Sequence, residues 1–125
     1  MKLAPAVPWA LIAGAICTLA PALGSAHAIV VKSTPAASAI VAPGPLDVVL
    51  DFNARLDPAR SRLLLEAPDG TTTPIAPGTG RAPTSISGRS EVRAPGRWKV
   101  RWQVLAADGH ITRGEIPFQV RVQER

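Results

Sequence analysis

Only two histidines occur in the chain of 125 residues, His27 and His110, so the setting of each is informative. His110 closes the triplet Asp108-Gly109-His110. A carboxylate and an imidazole two positions apart along an extended segment can point to the same side. Asp-Gly is also an ordinary turn pair, so turn formation alone would account for Asp108, and a histidine on such a turn can be an idle, exposed side chain. His27 stands in Gly24-Ser25-Ala26-His27-Ala28, the small-residue end of an apolar stretch. If His27 became the first residue of a processed chain, its primary amine and its own imidazole Nδ1 would form a bidentate nitrogen chelate, which no internal residue can offer. The imidazole of His110 would bring the nitrogens to three, and Asp108 would add an oxygen. A tetragonal nitrogen and oxygen set suits Cu(II), which heads the Irving–Williams order, whereas zinc prefers tetrahedral sites and often thiolates. His27, Asp108 and His110 are therefore the candidate metal ligands, for one Cu(II) per chain.

That chemistry depends on processing. Lys2 gives a positive start, residues 7–22 form an apolar run containing Trp9, Leu11, Ile12, Ile16 and Leu19, and small residues follow at 24–26. This is the pattern of a secretory signal peptide. The run is short for a membrane span and is interrupted or flanked by Pro5, Pro8 and Pro21, which disfavours a retained anchor. Cleavage after Ala26 puts Gly24 and Ala26 at the small-residue positions; cleavage after Ala28 puts Ala26 and Ala28 there. Cys17 sits in mid-run behind Ile16, a poor setting for lipidation. The expected division is a signal peptide over 1–26 and a domain over 27–125, which places the protein in the periplasm with no stable membrane insertion after processing.

The only cysteine, Cys17, and the only methionine, Met1, both lie in the expected signal. The domain of 99 residues then has no disulfide, thiolate or thioether to offer. The chain carries a formal net charge of +5, with seven lysines and arginines between Arg81 and Arg113. They are scattered through strand-like segments, so they read as a solvated basic face and not as a nucleic-acid surface. No G-x-S-x-G, no phosphate-cradling glycine loop and no meaningful carboxylate pair is present, and a Ser-His-Asp arrangement would need the same two histidines. No enzymatic activity is expected.

The elements that must position these residues are strands. Thirteen prolines and ten glycines punctuate the chain and argue against long helices. Residues 28–33 read as a first strand. Residues 46–52 alternate, with Leu46, Val48, Leu50 and Phe52 on one face. A short apolar strand over 62–66 precedes the turn Pro68-Asp69-Gly70, and 71–90 is expected to hold one or two short strands and the most mobile loop. In 97–106, Trp98, Val100, Trp102 and Val104 alternate with Arg97, Lys99, Arg101 and Gln103, as one core-facing side requires. A last strand over 114–122 puts Ile116, Phe118, Val120 and Val122 on one face. About seven strands in 99 residues predict an all-β, immunoglobulin-like Greek-key sandwich or barrel, with Asp108-Gly109-His110 between its two clearest strands.

The run from Gly96 to His110, Gly-Arg-Trp-Lys-Val-Arg-Trp-Gln-Val-Leu-Ala-Ala-Asp-Gly-His, followed by Gly114-Glu115-Ile116-Pro117-Phe118, resembles the CopC-type periplasmic copper-resistance proteins. His27-Ala28, Ser33-Thr34-Pro35-Ala36, Ala42-Pro43 and the strand ending in Phe52 extend the likeness over nearly all of 27–125; 71–90 matches only in length and texture. The resemblance implies an immunoglobulin-like fold and a Cu(II) site from an N-terminal histidine and the Asp-Gly-His turn, hence His27, Asp108 and His110. It also implies copper buffering or delivery, beside an inner-membrane copper-transport partner. The sequence departs from the family pattern at Ala54, where some members carry a glutamate near the copper, and in lacking a methionine-rich loop for Cu(I). Two other classes share some of these features. An oxidative enzyme with a histidine brace would use the same two histidines, but the chain is short and shows no aromatic binding face. A metal-free immunoglobulin-like adhesion module would leave both histidines incidental.

Overall fold

The computed structural model describes residues 28–79 and 82–123. His27 and the expected signal segment lie outside the described residues. The chain forms β1 (Val30–Thr34), β2 (Ile40–Val41), β3 (Gly44–Phe52), β4 (Arg62–Glu66), β5 (Thr72–Ile75), β6 (Gly78–Thr79), β7 (Ser85–Val92), β8 (Gly96–Leu105) and β9 (Ile111–Val120). Seven of these strands are four residues or longer. They make two sheets, ordered β1-β3-β7-β6 and β2-β9-β8-β4-β5. All pairings are antiparallel except β2 with β9. The N-terminal strand is thus split: β1 pairs with β3 in one sheet and β2 crosses to β9 in the other. This is an immunoglobulin-like β-sandwich.

Alternation is what the core is made of. Leu46, Val48, Leu50 and Phe52 of β3 face Trp98, Val100, Trp102 and Val104 of β8 across the sandwich, and all eight are buried. Leu63 and Leu65, and Ile116, Phe118 and Val120, complete the same layer. Phe52 meets Trp102 edge to face, with ring centroids 5.0 Å apart at 77°, a favoured aromatic geometry.

Two expectations need correction. The segment 71–90 holds more strand than foreseen: β7 runs eight residues and pairs with β3 along its whole length. Its inward row is Ile86, Gly88, Ser90 and Val92, so hydrophobic alternation fails at the middle positions. Gly88 is there for space, because a Cβ would come within 2.5 Å of Ile75 Cγ2 and 2.9 Å of the Ala76 carbonyl. The last strand begins at Ile111, not 114, and ends at Val120. Val122 lies beyond it and is 62% exposed.

Candidate functional site

β8 and β9 form a ten-residue-long hairpin whose register ends at Leu105 opposite Ile111. Beyond it, Ala106 N–H donates to the His110 carbonyl at 2.9 Å and Gly109 N–H to the Ala106 carbonyl at 2.9 Å. The loop is therefore Ala107, Asp108 and Gly109. Gly109 sits at φ +92°, the left-handed residue that a three-residue hairpin loop needs at its end. Nothing lies within 4 Å of where its Cβ would be, so the backbone conformation and not crowding calls for glycine.

Within this loop Asp108 Oδ1 accepts the backbone N–H of His110 at 3.0 Å, the local side-chain turn that aspartate favours. The same oxygen lies 3.2 Å from Nδ1 of the His110 ring. That backbone N–H is the main reason the Asp108 carboxyl titrates below its ordinary value, with the imidazole adding a smaller pull. Both side chains are about half exposed, at 47% and 55%. The result is an ionised carboxylate with Oδ1 committed to the turn, beside an imidazole whose Nδ1 faces it. A ring held in this way presents Nε2 on its opposite edge, the arrangement commonly seen in metal-ligating histidines.

The turn is coupled to the start of the domain through the loop that follows β3. Ile29 N–H donates to Asn53 Oδ1 at 2.8 Å, and Asn53 N–H donates back to the Ile29 carbonyl at 3.1 Å. Two to four residues on, Ala107 N–H donates to the Arg55 carbonyl at 2.8 Å, Leu56 bridges Ala106, and Asp57 N–H donates to the Leu105 carbonyl at 2.9 Å. Residues 53–57 thus bind the lead-in to β1 on one side and the Asp108 turn on the other. Ala28 is buried at 2% exposure, which pins the lead-in further. Behind the loop, buried Ser61 donates to the Asp57 carbonyl at 2.7 Å and accepts Leu105 N–H at 3.1 Å. Asp57 also caps the short 3-10 turn Pro58–Arg60 through Ala59 N–H.

The structure brings Asp108 and His110 together, and His27 lies outside the described residues. Among the described residues no three or more His, Cys, Asp or Glu side chains gather in a metal-holding group, so the pair is one part of the expected set. Asn53 and Ser61 escaped the sequence reading. Asn53 directly follows Phe52 at a strand end, and nothing in its spacing marks it; Ser61 carries no pattern at all. Ala54 is half-buried against the core and offers no ligand.

A shallow groove of about 470 Å³ lies elsewhere, on the outer face of the five-stranded sheet, lined by Arg62, Arg101, Arg113 and Glu115 among others. Its guanidinium-rich lining does not suit a cation.

Residues 30–121 match the family model described as the CopC domain. The chain is 30% identical over 112 residues to Copper resistance protein C of Xanthomonas campestris pv. juglandis, covering 83% of this chain and 87% of that protein. It is 27% identical over 99 residues to Protein YobA of Escherichia coli K12, covering 77% and 80%. Among solved structures, CopC from Methylosinus trichosporium OB3b superposes with a TM-score of 0.71 at 29% identity, over 79% of this chain and 98% of that one. PcoC from Escherichia coli, titled a methionine-rich copper resistance protein, gives 0.59 at 25% identity, over 77% and 100%. Shared sandwich, matched hairpin and relatives spanning most of both chains lead to one assignment: this chain belongs to the CopC family.

Proposed function

We propose that this protein is a periplasmic Cu(II) carrier that buffers or delivers copper from a single nitrogen- and oxygen-rich site. The observation that carries this reading is the Asp108–His110 pair, in which Nδ1 stands 3.2 Å from the carboxylate, the contact expected of a histidine that ligates a metal through its other ring nitrogen. The proposed ligands are His110 through Nε2 and His27 through its amine and Nδ1, with Asp108 as the carboxylate that orients the ring or adds a weak oxygen contact. Support for His27 comes from the tie between Ile29 and Asn53, since the loop 53–57 that receives Ile29 also carries the Asp108 turn.

Two relatives support the copper reading by name: Copper resistance protein C and the copper resistance protein PcoC. PcoC is titled methionine rich, whereas this chain has one methionine, Met1, which the proposed cleavage after Ala26 would remove with Cys17. The proposed site therefore rests on nitrogen and oxygen. The reading includes delivery to an inner-membrane copper-transport partner.

The test is a Cu(II) titration of protein recovered from the periplasm, beside its intact mass. The expected results are His27 as first residue, one Cu(II) per chain and a type 2 paramagnetic resonance spectrum with nitrogen couplings. His110→Ala should weaken binding by more than about a hundredfold, beyond the loss expected from an orienting partner alone. Metal and protons compete for imidazole nitrogen, so affinity should fall as pH is lowered. Unchanged affinity in His110→Ala, or a mature chain beginning at Ile29, would overturn the assignment.

A further inference from the structure

The register of the five-stranded sheet fixes which side chains share its outward face. Arg62 and Arg113 flank Gln103 in one row across β4, β8 and β9. Arg101, Lys99 and Arg97 follow along β8, opposite Trp102, Val100 and Trp98 in the strand's alternation. Two carboxylates share this face and are already engaged. Glu66 lies 3.1 Å from Arg101 and 3.8 Å from Lys99, and Glu115 lies 3.5 Å from Lys99 and 3.8 Å from Arg101. Arg113 donates to the neutral Gln103 at 2.7 Å. Arg62, Arg97 and Arg113 have no carboxylate at ion-pair distance among the described residues.

The charge count is one-sided. The described residues include eleven lysines and arginines and eight aspartates and glutamates. Five cations and two anions lie within β4, β8 and β9 on this face, which leaves six of each elsewhere, counting Arg121 at its edge, where it reaches Gln119. The whole net charge of +3 of the described domain therefore belongs to one broad face.

We propose that this face is an adsorption surface for anionic phospholipid headgroups. Four of its five cations are arginines, whose planar forks match phosphate oxygens in pairs. Strands about 4.8 Å apart put Arg62 and Arg113 roughly 10 Å from each other, so they can meet separate headgroups. A protein partner fits less well. Protein interfaces are organised around buried aromatic or aliphatic anchors and are depleted in lysine and glutamate at their centres, whereas here both tryptophans of β8 turn inward and the centre of the face is Lys99, Glu66, Arg101 and Glu115. The contact is superficial and electrostatic. The inference goes beyond the metal reading and does not depend on it, although the same hairpin carries four of the five cations and the Asp108 turn.

The experiment is co-sedimentation with vesicles of phosphatidylcholine containing a third phosphatidylglycerol, at low ionic strength. Each net charge near such a surface multiplies partitioning about fivefold, or about 1 kcal/mol. The triple variant Arg62→Gln, Arg97→Gln, Arg113→Gln should lose roughly a hundredfold. Lys32→Gln, Arg89→Gln, Arg93→Gln removes as much charge elsewhere and should lose less than about fivefold. Molar salt should abolish the difference. Equal losses in the two triples, no gain over pure phosphatidylcholine, or binding that survives molar salt would each overturn the proposal. Soluble poly-glutamate serves as a second probe. If it binds through the same three arginines while vesicles do not, the face receives protein carboxylates and the lipid assignment is wrong.

Discussion

Asp69 and Asp108 perform the same local task at opposite ends of β8's neighbourhood. Each precedes a glycine, and each accepts a backbone N–H from two residues on, Thr71 at 3.0 Å and His110 at 3.0 Å. In both cases that bond is the largest cause of a lowered carboxyl pKa. What separates them is the residue two positions along, threonine in one turn and histidine in the other. An Asp-Gly pair by itself therefore marks a turn, and the histidine makes it a candidate site. Because the folded-state pKa of Asp108 lies below its unfolded value, its support for the turn is complete above the unfolded value and is lost as pH falls through the folded one. Since the carboxylate is in water, this is a local effect. A carbon-detected titration should place the Asp108 midpoint below the ordinary 3.8. Asp108→Ala should weaken Cu(II) binding about ten- to hundredfold while the urea midpoint hardly moves. A stability loss as large as the binding loss would reduce Asp108 to a turn residue. The triplet was legible because histidine is rare here. Asn53 was not, because its role depends on a backbone 24 positions away.

At the scale of elements, the β8–β9 hairpin is set by one close approach. Gly114 lies opposite Trp102, and a Cβ there would overlap the indole ring. The tryptophan lies across the glycine and reaches Phe52 of the other sheet, so the stem of the hairpin is stapled just below its turn. Trp102 holds this place although its Nε1 is buried without a hydrogen-bond partner among the described residues. Gly114→Ala should cost about 1–3 kcal/mol, the usual penalty for overpacking, read as a lower urea midpoint. Parent-like stability would mean that the ring can swing clear. Strands whose inward rows are all bulky, β3 and β8, could be read from alternation alone. β7 could not, because Gly88 and Ser90 interrupt its inward row, the glycine where Ile75 and Ala76 leave no room for a Cβ. The start of β9 was hidden for another reason: Ile111 and Arg113 are exposed and Thr112 and Gly114 only half-buried, so no apolar period shows before Ile116.

For the molecule as a whole, the sandwich class was legible from strand count and turn spacing, whereas strand neighbours were not. The division of the N-terminal strand between sheets, and the parallel pairing of β2 with β9, depend on contacts across the whole chain. The same holds for the charge asymmetry, since cations that alternate with core residues in sequence collect on one face only after the sheet forms. Composition does bear on the metal. Cu(I) is soft and favours thiolate and thioether sulfur, and the chain's one cysteine and one methionine both precede residue 27. A chain processed as proposed should hold Cu(II) far more tightly than Cu(I). Competition against a Cu(I)-selective chelator after ascorbate, matched with a Cu(II) competition, checks this, and equal retention of the two ions would refute the single-site reading.

The five residues between Asn53 and Asp57 have a consequence in time. They join Ile29 to a turn some eighty positions later in the chain, and they can do so only when β3 and the β8–β9 hairpin belong to opposing, packed layers. Until the last strand is laid down, the lead-in to β1 and the Asp108 turn have no common neighbour. In the proposed carrier, a newly released and unpacked chain would offer at most the two-nitrogen chelate of a terminal His27, without the imidazole of His110. Its full ligand set therefore follows maturation: it assembles only after the start of the domain and the hairpin turn have come to the same loop.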